Sequence, residues 1–233
     1  MEVCCGNIAS VRAAIEGGAD RVELCRDLEL DGLTPSREMI GEAVGLCHPA
    51  GLLVHVLIRS REGDFVYDDT EVKKMADEIG MAIAEGADGV VVGALTPGGD
   101  IDTAACRKWI DAVRQAVSDQ RRNVTFHRAF DVCDDPLEAI GQIARLGCNR
   151  ILTSGQQATA EQGIPLLRQL VEKAREISAK SGHELGILCG AGVNTHNAST
   201  ILKATGATEI HGSLRTGLVS DAEKIRLVKE AIS

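Results

Sequence analysis

Short β-branched runs alternate with longer stretches of helical periodicity along the whole of the 233-residue chain. The runs fall at 2–5, 21–25, 52–58, 89–93, 124–128, 150–153, 186–189 and 208–211. They are mostly apolar, the pattern of strands buried on both faces of a parallel sheet. Between them, apolar residues recur at helical spacing in 11–15, 72–83, 161–180 and 222–232. Another helix begins at Pro136, inside an acidic first turn, where the missing N–H of proline costs nothing. One phrase occurs four times: Gly18-Ala19-Asp20-Arg21-Val22, Gly86-Ala87-Asp88-Gly89-Val90, Gly147-Cys148-Asn149-Arg150-Ile151 and Gly206-Ala207-Thr208-Glu209-Ile210. Each opens on a glycine that can end a helix in a left-handed conformation, then turns into a strand. Strand–helix units of roughly 29 residues, about eight of them, fit a compact (β/α)8 TIM barrel. The expected fold class is therefore α/β, a single barrel domain over residues 1–233. A doubly wound open sheet would want a glycine-rich dinucleotide turn after the first strand. Cys5-Gly6-Asn7-Ile8-Ala9 stands there instead.

Composition narrows function more than fold. Aromatic residues make up 2% of the chain and the formal net charge is −9. That suits neither a base-stacking platform nor phosphate-backbone binding, so no nucleic-acid partner is expected. The chain opens on Met1-Glu2-Val3 without a basic and apolar leader, and no apolar run is long enough to cross a bilayer. A cytoplasmic location with reduced thiols, and no membrane partner, is the expectation. The eight cysteines are scattered with no C-x-x-C pair, unlike a zinc ribbon. Cys47, Cys106, Cys133 and Cys148 read as small buried hydrophobes.

TIM barrels carry their sites at the C-terminal ends of the strands. There the chain places Arg59-Ser60-Arg61, His127-Arg128 with Asp131, Cys189-Gly190-Ala191-Gly192 and Glu209-Ile210-His211-Gly212-Ser213. Alternation puts Glu2 with Cys4, Glu23 with Cys25, Thr125 with His127, and Glu209 with His211 on shared faces. If those faces point inward, the carboxylates need partners, for which Arg59 and Arg128 are the candidates. Two chemistries stay open. Cys4 and Cys25 would end adjacent strands about 4.8 Å apart, a spacing that suits two thiolates on Cu(I). Cys5 would face away, and Cys189 and His211 could add ligands. In the other chemistry, Gly190, Gly192, Gly212 and Ser213 cradle a small anionic, phosphorylated or sugar-like substrate. Arg59 and Arg61 then supply anion contacts. His127, Arg128, Asp131 and Glu209 carry catalysis, with His127 and a carboxylate as acid and base.

Several long phrases stand in one order: Glu2-Val3-Cys4, Gly17-Gly18-Ala19-Asp20-Arg21-Val22-Glu23-Leu24-Cys25, Leu33-Thr34-Pro35-Ser36, Gly63-Asp64-Phe65, Thr125-Phe126-His127-Arg128-Ala129-Phe130-Asp131, Leu152-Thr153-Ser154-Gly155-Gln156 and Glu209-Ile210-His211. In them the chain resembles the CutC family, named for copper homeostasis, over nearly its whole length. The resemblance implies a (β/α)8 barrel, a cytoplasmic homo-oligomer, a copper ion as partner, and Cu(I) ligands at Cys4 and Cys25. Ser60 stands where relatives commonly have proline, and Leu30-Asp31-Gly32 departs from the family's glycine-rich loop. Neither departure removes a ligand. Copper leaves the Thr125-to-Asp131 phrase unexplained, because Arg and Asp are poor Cu(I) ligands.

Overall fold

A computed structural model describes residues 1–116 and 122–233. Eight parallel strands close into a barrel in chain order: β1 (Glu2–Cys5), β2 (Arg21–Leu24), β3 (Leu53–Leu57), β4 (Gly89–Val92), β5 (Asn123–Phe126), β6 (Arg150–Thr153), β7 (Gly186–Cys189) and β8 (Glu209–Gly212). Among the described residues, eight helices surround it: α1 (Ile8–Glu16), α2 (Arg37–Cys47), α3 (Asp69–Ala84), α4 (Thr103–Ala116), α5 (Pro136–Leu146), α6 (Ile164–Ser181), α7 (Ala198–Thr205) and α8 (Ala222–Ile232). This is the α/β TIM barrel that the hydrophobic pattern predicts. The pattern marks five of the helices; α2, α4 and α7 complete the ring. Among the described residues, no helix is long and apolar enough to cross a membrane.

Local chemistry accounts for the boundaries. Asp68 caps α3 by accepting from the Glu71 amide while Glu71 accepts from the Asp68 amide, a reciprocal capping box. Ser36 caps α2 through the Met39 amide, and Asp135 caps α5 ahead of Pro136. The repeated phrase is one structural joint: Gly18, Gly86, Gly147 and Gly206 have φ of 75°, 99°, 96° and 75°. The short hairpin β9 (Arg215–Thr216) and β10 (Val219–Ser220) follows β8. Its strands are two residues each, too short to leave a hydrophobic period.

The two faces of the barrel strands do different work. Outward residues such as Val3, Cys5, Val22, Leu24, Val54 and Val56 pack into the main apolar core. The inward face is mixed: polar and charged residues share it with Leu152, Leu188 and a small cluster of Cys4, Cys25, Leu57 and Val91. Glycines make room inside. A Cβ on Gly89 would lie 2.6 Å from the Asn123 carbonyl oxygen and 2.8 Å from His55 Nε2. A Cβ on Gly93 would lie 2.6 Å from the His127 ring.

The inward carboxylates are paired, but not by Arg59 and Arg128 as expected. Arg21 Nε donates to Glu2 at 2.5 Å, Arg21 Nη2 donates to Glu209 at 2.5 Å, and Arg150 Nε donates to Glu209 at 2.7 Å. All four residues are the first of their strands, so they meet near the N-terminal mouth, away from the C-terminal strand ends. Burial pushes the Glu2 carboxyl up, but Arg21, His211 and His55 outweigh it and hold it well below its ordinary value.

Candidate functional site

One step above that ion network, Cys4 and Cys25 lie side by side, both inward-facing on neighbouring chain segments. Their sulfurs are 3.8 Å apart, and Cys25 Sγ lies 3.7 Å from the Cys5 carbonyl oxygen. His211 enters from β8. Its Nδ1 donates to Glu2 at 2.8 Å, and its Nε2 lies 3.7 Å from Glu23. Cys4 Sγ, a Glu23 oxygen and a His211 ring nitrogen all fall within 4.8 Å of one another. The hydrogen bond to Cys25, and then burial, hold the Cys4 thiol well above its ordinary value. Burial raises Glu23, with the charge of Glu2 adding to it. Burial pushes His211 down, but Glu23, Cys4 and Glu2 overcome it and raise it well above its ordinary value. A thiophilic cation would displace the thiol protons, since thiol and imidazole ligands bind metals in their deprotonated forms.

A cavity of about 500 Å³ opens above this floor toward the C-terminal mouth. One wall is Arg59, Phe65 and His127. Arg59 Nη1 donates to the carbonyls of Leu30 and Gly32 at 2.9 and 3.2 Å, and Nη2 to that of Gly63 at 3.0 Å. It therefore ties the loops after β2 and β3 together. Its guanidinium sits 5.2 Å over the Phe65 ring, and that ring is 5.0 Å from His127. His127 Nδ1 accepts from the Ala129 amide at 3.2 Å, so its proton is on Nε2. Burial, and then Arg59, push its pKa down to about 3. The ring is a neutral hydrogen-bond donor, a role different from the acid–base one expected of it.

The other expected residues divide. Arg128, Asp131, Gly192, Gly212 and Ser213 line the cavity. Asp131 is committed to structure: it accepts from Thr153 Oγ1 at 2.5 Å, from the Ser154 and Gln156 amides at 3.0 and 3.2 Å, and from Arg128 Nε at 2.8 Å. Gly190 sits below the cavity, where a Cβ would lie 2.6 Å from Leu152. Arg61 turns outward to Asp64 and Glu71, at 2.9 and 2.6 Å. Glu209 opens β8 rather than ending it, so it lies at the opposite mouth and lines a separate cavity of about 340 Å³ with Arg150. Cys5 and Cys189 face the outer core, so Cys189 cannot join Cys4, and burial pushes its thiol up to about 12. Sequence reasoning missed Arg21 and Arg150 as carboxylate partners and Phe65 and Arg215 as cavity lining. Counting back by two from Glu23 would have placed Arg21 inside; nothing local marks Arg215.

Comparisons with known proteins agree with this fold. The family model described as CutC family matches residues 1–216. A family protein CutC from Bacteroides thetaiotaomicron is 48% identical over 221 residues, covering 95% of this chain and 83% of its own length. One from Pasteurella multocida is 44% identical over 211 residues, covering 91% of this chain and 80% of its own. A solved structure from Streptococcus agalactiae, described as a copper homeostasis protein CutC, superposes with a TM-score of 0.82 at 34% identity, covering 91% of this chain and 97% of that one. The chain belongs to the CutC family.

Proposed function

We propose that this protein binds Cu(I) through Cys4 and Cys25 and serves copper homeostasis in the cytoplasm. The observation that carries the reading is the buried pair of sulfurs 3.8 Å apart. Soft thiolates select Cu(I), whereas hard cations prefer oxygen. His211 is the adjacent nitrogen donor. All eight cysteines are free, which suits a reducing compartment. Both ligands must shed protons to bind, so affinity rises with pH. An anaerobic competition titration against a Cu(I) chelator tests the reading. One Cu(I) binds per chain, and Cys4→Ser and Cys25→Ser each weaken binding at least a hundredfold. Equal affinity in the variants would overturn it.

A further inference from the structure

The thiol floor leaves the upper walls of the cavity without a role. Two clusters of unmatched donors face each other there. On the β3–β5 side, Arg59 and His127 are 4% and 5% exposed. Among the described residues, Arg59 Nε and His127 Nε2 are buried with no hydrogen-bond partner. Both residues line the cavity. A buried donor without an acceptor is costly. The Ala129 amide occupies His127 Nδ1, so both unmatched groups are N–H donors; the Tyr67 hydroxyl lies beside Arg59, whereas His127 Nε2 needs an acceptor from the cavity.

On the β7–β8 side, Ala191, Gly192, Val193 and Ser213 also line the cavity. Among the described residues, their amides donate to no backbone acceptor outside the helices and strands. Ala191 and Gly192 both hold positive φ, 80° and 69°. That conformation is strained for alanine, and strain of this kind persists where a site requires it. β3 and β7 stand on opposite sides of an eight-stranded barrel, so the two donor clusters span the cavity.

We propose that this cavity binds a small phosphorylated organic molecule. Its phosphate sits on the β7–β8 amides, and an oxygen function at its other end accepts from His127. Several converging donors suit the oxygens of a phosphate monoester. Arg215 on the lining adds positive charge, while Arg128 is paired with Asp131, whose carboxylate is further held by its own loop. A volume near 500 Å³ accommodates a molecule of sugar-phosphate size. The thiols take no part in this binding.

Two-dimensional amide NMR on the reduced, copper-free protein tests it, with D-ribose 5-phosphate, inorganic phosphate and D-ribose as probes. The sugar phosphate gives saturable shifts at Ala191, Gly192 and Ser213, inorganic phosphate gives weaker shifts at the same amides, and ribose gives none. His127→Phe weakens the sugar phosphate at least tenfold and leaves the inorganic phosphate shifts unchanged. The wild-type shifts stand as evidence even if that variant fails to fold. Absence of saturation, or shifts elsewhere on the surface, would overturn the proposal. Copper is absent throughout, so that failure leaves the thiol site untouched.

Discussion

His127 shows how far a residue's role depends on atoms the sequence does not place beside it. Its inward direction follows from alternation with Thr125. Its tautomer does not, because the Ala129 amide sets it. Burial pushes both His127 and His55 down to about 3, against about 6.5 in the unfolded chain. The unfolded state therefore binds more protons below pH 6.5. The stability these rings contribute is complete above that pH and is lost as pH falls toward 3. Each histidine removes about 3 kcal/mol by pH 4. Urea unfolding between pH 7.5 and 4 checks this: the steep acid limb flattens in His127→Phe. Asp131 is a similar case, since its type suggests catalysis while its four partners make it a loop anchor.

At the scale of elements, what was legible is what depends on near neighbours. The four joint glycines were readable because a helix end next to a strand start is a local event. Gly89 and Gly93 were not, because the rings they admit come from other strands. Two substitutions separate a glycine that a close approach requires from one that nothing requires. Gly89→Ala drives a methyl against the Asn123 carbonyl oxygen, 2.6 Å away, and costs about 2–3 kcal/mol through forced backbone movement. Gly80→Ala, inside α3 with nothing within 4 Å of the new methyl, stabilises by about 0.5–1 kcal/mol through helix propensity. Thermal unfolding of both variants measures the contrast. The misplacement of Glu209 has the same origin. The β8 pattern shows a strand, but its register against β1, Glu2 opposite His211, is a long-range fact.

Across the whole molecule, the barrel interior divides into tiers of charge. The fold was legible because eight repeated units constrain the topology. The pairing of Glu2 and Glu209 with Arg21 and Arg150 was not, because four strands must close before those residues meet. Arg21→Met leaves the buried Glu2 without its cation, while half-buried Glu209 keeps Arg150. It destabilises the protein by about 3–5 kcal/mol, read by denaturant unfolding. The same network orients His211 beside Cys4, since Glu2 holds Arg21 on one side and His211 on the other. The central claim is that Cys4 and Cys25 hold Cu(I) together. X-ray absorption at the copper edge, on protein loaded with one Cu(I) per chain, tests it most directly. The predicted result is a first shell of two sulfurs that falls to one in Cys4→Ser. A shell of nitrogen and oxygen only, or a spectrum unchanged in Cys4→Ser, would contradict it.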